Sequence, residues 1–93
     1  MVKEIVLNRR VILVENYEHE IIDGLHKVMV EFKVTSEDYH DIAVLLYEGT
    51  FDVEVPEQSL AFRGSIQEYS TSITNLYEKN QVADYRLVLL QVK

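Results

Sequence analysis

Only one stretch of the chain, from Thr35 to Gly49, spaces its apolar residues for a helix; the segments on either side alternate with a period of two. Within that stretch Tyr39, Ile42, Ala43 and Leu46 recur at i, i+3, i+4 and i+7, and Leu45 widens the stripe. Thr35 and Asp38 have the spacing of a capping box, with Asp in place of Glu, and Glu37, Asp38 and Asp41 put negative charge at the positive end of the helix dipole. Gly49 supplies a left-handed stop. The spacing predicts a helix over 37–48, with Ile42 and Leu46 in the core. A single helix among strands points to an α+β architecture, mostly antiparallel β, of about six strands curled into a half-open barrel with the helix as plug.

The strand signals differ in strength. Asp23-Gly24 is the clearest turn, because a two-residue type I′ connection needs positive φ at both positions. After it Val28, Val30, Phe32 and Val34 point one way, and Met29, Glu31, Lys33 and Thr35 the other. Upstream, residues 2–7 and 10–18 read as strands joined tightly at Asn8-Arg9. Downstream, Phe51, Val53 and Val55 alternate with acids until Pro56, which cannot donate to a ladder. Residues 60–69 form a strand in which Gly64 marks an expected bulge. Residues 70–76 are a polar continuation, and Lys79-Asn80 a turn. Residues 82–92 close the order, and there both alternating sets are apolar after Arg86, so two covers are needed. Internal cover by the curled sheet and helix is favoured, with a homodimer as the alternative.

Composition narrows the function classes. The 93 residues suit one domain spanning 1–93, and no cysteine is present to supply a disulfide or a thiolate metal ligand. A formal charge of −7, with nine Lys and Arg scattered along the chain, lacks the basic stripe that nucleic acid requires and disfavours anionic membranes. Charged residues interrupt the first twenty positions, so no secretory leader is read there, and no apolar run spans a bilayer; the expected location is the cytoplasm.

No motif carries catalytic chemistry. Gly-x-Ser-x-Gly, His-Glu-x-x-His and a glycine-rich phosphate loop are all missing, and a carboxylate pair would meet only in three dimensions. Glu37, His40 and Asp41 share a helix face, but one helix rarely supplies a full ligand set; a solvated face is the simpler reading. Glu18-His19-Glu20 places His19 on the face opposite both acids if the segment is a strand. His26 joins His19 only if the fold brings them together. No catalytic residue, cofactor or metal is therefore expected.

Four blocks of sequence carry a resemblance. Thr35-Ser36-x-x-Tyr39-His40-Asp41-Ile42-Ala43-Val44-Leu45-Leu46-Tyr47, Val53-Glu54-Val55-Pro56, Ala61-Phe62-Arg63-Gly64 and Tyr69-Ser70-Thr71-Ser72 are similar to the YkvR-like family of small uncharacterised proteins from Gram-positive, spore-forming bacteria. The blocks cover about half the chain. The resemblance implies a bacterial, cytosolic protein with one α+β or mainly-β domain. It implies no activity and no catalytic residues.

What remains is an interaction surface. Tyr and Arg are enriched where proteins bind one another. Arg63, Tyr69, Ser70, Ser72 and Thr74 form the candidate surface, with Ser70, Ser72 and Thr74 on one strand face. The expected function is a non-enzymatic binding domain whose partner is another protein or a second copy of itself as a homodimer; nucleic acid and membrane are not expected partners. The alternative is a small-ligand pocket between helix and sheet, walled by Tyr39, Tyr47 and Phe62.

Overall fold

A computed structural model describes residues 2–72 and 81–92. The chain runs β1 (Glu4–Leu7), β2 (Arg10–Leu13), β3 (Asn16–Ile22), β4 (Leu25–Thr35), α1 (Tyr39–Tyr47), β5 (Thr50–Val55), a 3-10 turn (Pro56–Gln58), β6 (Leu60–Thr71) and β7 (Val82–Gln91). The strands form one antiparallel sheet in the order β2-β1-β5-β6-β7-β4-β3.

The two ends of that order are neighbours in sequence, separated by Val14 and Glu15 alone. The change of partner takes a single peptide: Val14 N–H donates to the Lys3 carbonyl at 2.9 Å, and Glu15 N–H to the Glu31 carbonyl at 2.8 Å. Residues 10–22 are thus one bent segment shared by both margins of the sheet, which curls to meet it and makes a half-open barrel. The sequence pattern suggests one strand over 10–18; the chain instead leaves β1 at Val14 and runs against β4 as far as Ile22.

The alternation then sorts side chains as expected. Val28, Val30, Phe32 and Val34 face inward opposite Leu89, Leu87, Tyr85 and Ala83, and Phe51, Val53 and Val55 continue that layer toward Ile5, Leu7 and Ile12. Each fully buried Val, Leu, Ile or Phe contributes about 1.5–3 kcal/mol relative to leaving it in water. Tight turns have the predicted chemistry: Asn8 and Arg9 at φ 49 and 73°, Asp23 and Gly24 at 52 and 78°. Pro56 ends β5 and opens the 3-10 turn. Glu57 ties that turn to the first strand, its Oε2 accepting from the Lys3 and Glu4 amides at 2.6 and 3.3 Å. On the outer face Val88 is only 2% exposed between its cross-strand neighbours Met29 and Glu68, so the second dry side of β7 is covered within the chain at that position.

The helix starts two residues later than its spacing suggests. Thr35 and Asp38 do meet, Oγ1 accepting from the Asp38 amide at 3.2 Å and donating to its carboxylate at 3.1 Å. They close the turn that precedes α1, and Asp38 becomes the N-cap. Ile42 and Leu45 enter the core, whereas Leu46 is half-buried at its margin and Ala43 is exposed. Asn8 and Arg10 hold the outer side of the helix, through a 3.0 Å hydrogen bond from Asn8 Nδ2 to Glu48 Oε2 and an Arg10–Asp41 ion pair at 3.9 Å. Its end is pinned to β6, where Ile66 N–H donates to the Gly49 carbonyl at 2.9 Å.

Gly64 is not the bulge. It pairs in regular register with Phe51 on one side and Gln91 on the other; the register slips two residues later, between Ile66 and Glu68. A Cβ on Gly64 would lie 2.8 Å from the Phe62 ring and 3.3 Å from the Leu90 carbonyl. The glycine is there because an aromatic ring and a neighbouring backbone occupy the side-chain space.

Candidate binding groove between the helix and the sheet

The bulge in β6 shapes a groove. Because Gln67 is the extra residue, Ile66 and Tyr69, three apart, both fall on the inner face opposite Leu89 and Leu87. Without it, strict alternation would put Glu68 there instead of Tyr69. Across from them α1 presents Tyr39, Ala43, Leu46 and Tyr47, one stripe further round than the Ile42–Leu45 stripe that enters the core. These six residues line an open groove of about 340 Å³. The predicted stripe of Tyr39, Ile42, Ala43 and Leu46 therefore straddles two surfaces, part core and part groove wall.

The groove is apolar along its walls and aromatic at its rim. Tyr47 is 92% exposed and Tyr69 48%. Tyr69 stands edge-on to Tyr85, ring centroids 5.6 Å apart and planes 80° apart. Burial, and then the hydrogen bond with Tyr69, push the Tyr85 hydroxyl up to about 12, against an opposing pull from Thr71. Phe62, expected as a wall, lies elsewhere: it is core, with its ring 5.7 Å from His26.

The candidate interaction residues do not share one surface. Tyr69 alone enters the groove. Arg63 projects from the outer face and pairs with Asp52 at 2.8 Å. Ser70 is outer too, opposite Arg86. Ser72 finishes the β6–β7 pairing: its amide donates to the Asp84 carbonyl at 2.9 Å and its hydroxyl accepts from the Asp84 amide at 3.0 Å. Thr74, like the expected Lys79-Asn80 turn and most of the 70–76 continuation, lies outside the described residues. Along the helix Asp41 answers Arg10. Among the described residues no three His, Cys, Asp or Glu side chains are gathered for a metal.

One constellation went unassembled in the sequence reading. Ile22 opposite Leu25 fixes the β3–β4 register, so His19 and His26 occupy diagonal positions on the inner face while Glu18 and Glu20 face outward beside Met29 and Lys27. His19 Nε2 and His26 Nδ1 are 2.8 Å apart. The two-residue Asp23-Gly24 turn carries the signal that could have found them, since a type I′ loop dictates that register.

With this geometry in place, comparison with known proteins defines the class. The family model described as "Protein of unknown function (DUF3219)" matches residues 4–93, and the chain belongs to that family. Among its relatives, the uncharacterised protein YkvR of Bacillus subtilis (strain 168) is 47% identical over 90 residues, covering 97% of this chain and 93% of that protein. The solution NMR structure of YkvR superimposes with a TM-score of 0.65, over 100% of this chain and 88% of that one.

Proposed function

We propose that this chain is a non-enzymatic binding domain of the bacterial cytoplasm that holds an apolar or aromatic segment of a protein partner in the groove between α1 and β6. The observation that carries the reading is the contrast between a closed core and this open groove, where Tyr47 and Tyr69 offer ring surface to solvent. Large, rotamer-poor aromatic side chains bind at low entropic cost, which is why they dominate interface hot spots. Tyrosine hydroxyls are the only polar side-chain groups in the lining, with no Ser, Cys, His, Lys or carboxylate beside them to activate one, an arrangement that suits recognition. No helix among the described residues is long and apolar enough to cross a membrane. A small apolar ligand is the second reading, favoured by a volume of about 340 Å³, at the lower end of the ~300–1,000 Å³ typical of ligand pockets.

A photoreactive amino acid placed at Tyr47, and separately at Arg63 on the outer face, tests the proposal in the native host. A discrete protein adduct formed from position 47 and absent from 63 supports it. Equal labelling from both positions, or none from 47, refutes it. A low-mass adduct from 47 alone decides for the small ligand.

A further inference from the structure

We infer that His19 and His26 form a two-imidazole site for a late first-row transition-metal ion, Cu²⁺ binding most tightly. Their ring centroids are 5.0 Å apart with planes 27° apart, and His19 Nε2 faces His26 Nδ1 at 2.8 Å, so the rings meet edge to edge through two nitrogens that share one proton. Two imidazoles in adjacent coordination positions, at metal–nitrogen bonds of about 2.0–2.1 Å, place their nitrogens about 3 Å apart. The separation is already close to that, and a swing of the His19 ring lets both lone pairs converge on one point. His19 is exposed and free to tilt.

His26 is held from two sides. Its amide donates to Gln91 Oε1 at 3.0 Å, and its ring lies against Phe62 with centroids 5.7 Å apart. The first contact fixes the backbone and the second restrains the ring before the ion arrives. Neighbouring charge is mixed: Glu18 and Glu20 flank His19 on the opposite face, and Lys27 is engaged by Glu20 at 3.6 Å. A net charge of −7 favours cation approach. Imidazole nitrogen suits copper, nickel and zinc, and at a given site Cu²⁺ exceeds the other two in affinity. With two protein ligands, water completes the coordination, which makes this an exchangeable site and not a structural one. The ion takes the place of the shared proton, which moves to the other nitrogen of the ring that carried it, so both ligands bind as neutral imidazoles. The inference is independent of the groove between helix and sheet.

The test is calorimetric titration of the full, tag-free chain with Cu²⁺ near neutral pH, with Zn²⁺ as the weaker second probe. The expected result is one ion per chain, with affinity falling at least about tenfold in His19→Gln and in His26→Gln and unchanged in His40→Gln. If His26→Gln fails to fold, the exposed His19→Gln decides alone. Unchanged affinity in His19→Gln, loss in His40→Gln, or no saturation at one equivalent overturns the inference.

Discussion

Adding one methyl group at Gly64 probes a crowded place in the sheet. Its Cβ would stand 2.8 Å from the Phe62 ring, where carbon atoms prefer about 3.5–4.0 Å, so the ring must retreat by most of an ångström. The other near neighbour, the Leu90 carbonyl at 3.3 Å, belongs to the β6–β7 ladder and cannot yield without lengthening hydrogen bonds. Phe62 is itself buried and rests on His26, so its retreat disturbs core packing and not a free side chain. Overpacking of this kind costs about 1–3 kcal/mol. Against it, alanine restricts the unfolded chain and recovers about 0.4–1 kcal/mol. Gly64→Ala should therefore lose about 1–2 kcal/mol net in a urea titration, with the denaturant slope unchanged. Phe62→Leu, which removes the offending ring edge, should make the same Gly64→Ala change close to neutral when the two are combined, a coupling that a double-mutant cycle reads directly. If Gly64→Ala is as stable as the parent, or if its cost is the same with Leu at 62, the steric reason for the glycine is wrong.

Two further outcomes follow from the helix and from Tyr85. Leu45→Ala should cost about 2–5 kcal/mol and Leu46→Ala distinctly less, because Leu45 is 8% exposed and Leu46 lies half-buried at the groove; equal losses in chemical denaturation would place the core stripe one residue round. The hydroxyl of Tyr85 ionises at about 12 in the folded chain and near 10 unfolded, so the unfolded state gives up its proton first. That stability is whole below pH 10 and drains between pH 10 and about 12. Tyr85→Phe should flatten that part of the melting-temperature profile relative to the parent, and parallel profiles would refute it.

Local chemistry was legible; contacts between distant segments were not. Asp23-Gly24 announced its turn, and Val28 through Val34 announced a core face, because both follow from a few adjacent residues. The helix was found to within two residues at either end. The partner change at Val14-Glu15 left no mark, since a strand keeps its alternation whichever neighbour it pairs with. Gly64 was misread as a bulge for a related reason: the ring that requires it sits two residues away across the pleat, while the real bulge falls at Gln67, an ordinary residue. That misplacement also concealed the sheet-side wall of the groove, whose helix side was expected at Tyr39 and Tyr47, because only the true bulge turns Tyr69 inward. Leu45 and Leu46 differ by a rotation of the helix that amphipathic spacing cannot resolve. His19 and His26 were each visible, and only the turn register joined them.

The position of β7 has a consequence for biosynthesis. The last strand of this domain in sequence lies inside the sheet, between β6 and β4, with nine residues, Val82 to Leu90, in register against Lys27–Thr35. Until it emerges from the ribosome, β4 and β6 present two unpaired edges and an inner face with no third wall. Neither can pair with the other, because the space between them is reserved for a strand not yet synthesised. Folding must therefore wait for residues 82–91, and a chain cut short before them carries adhesive edges instead of a smaller version of the fold. A translating cell would treat such a fragment as chaperone or protease substrate from the start.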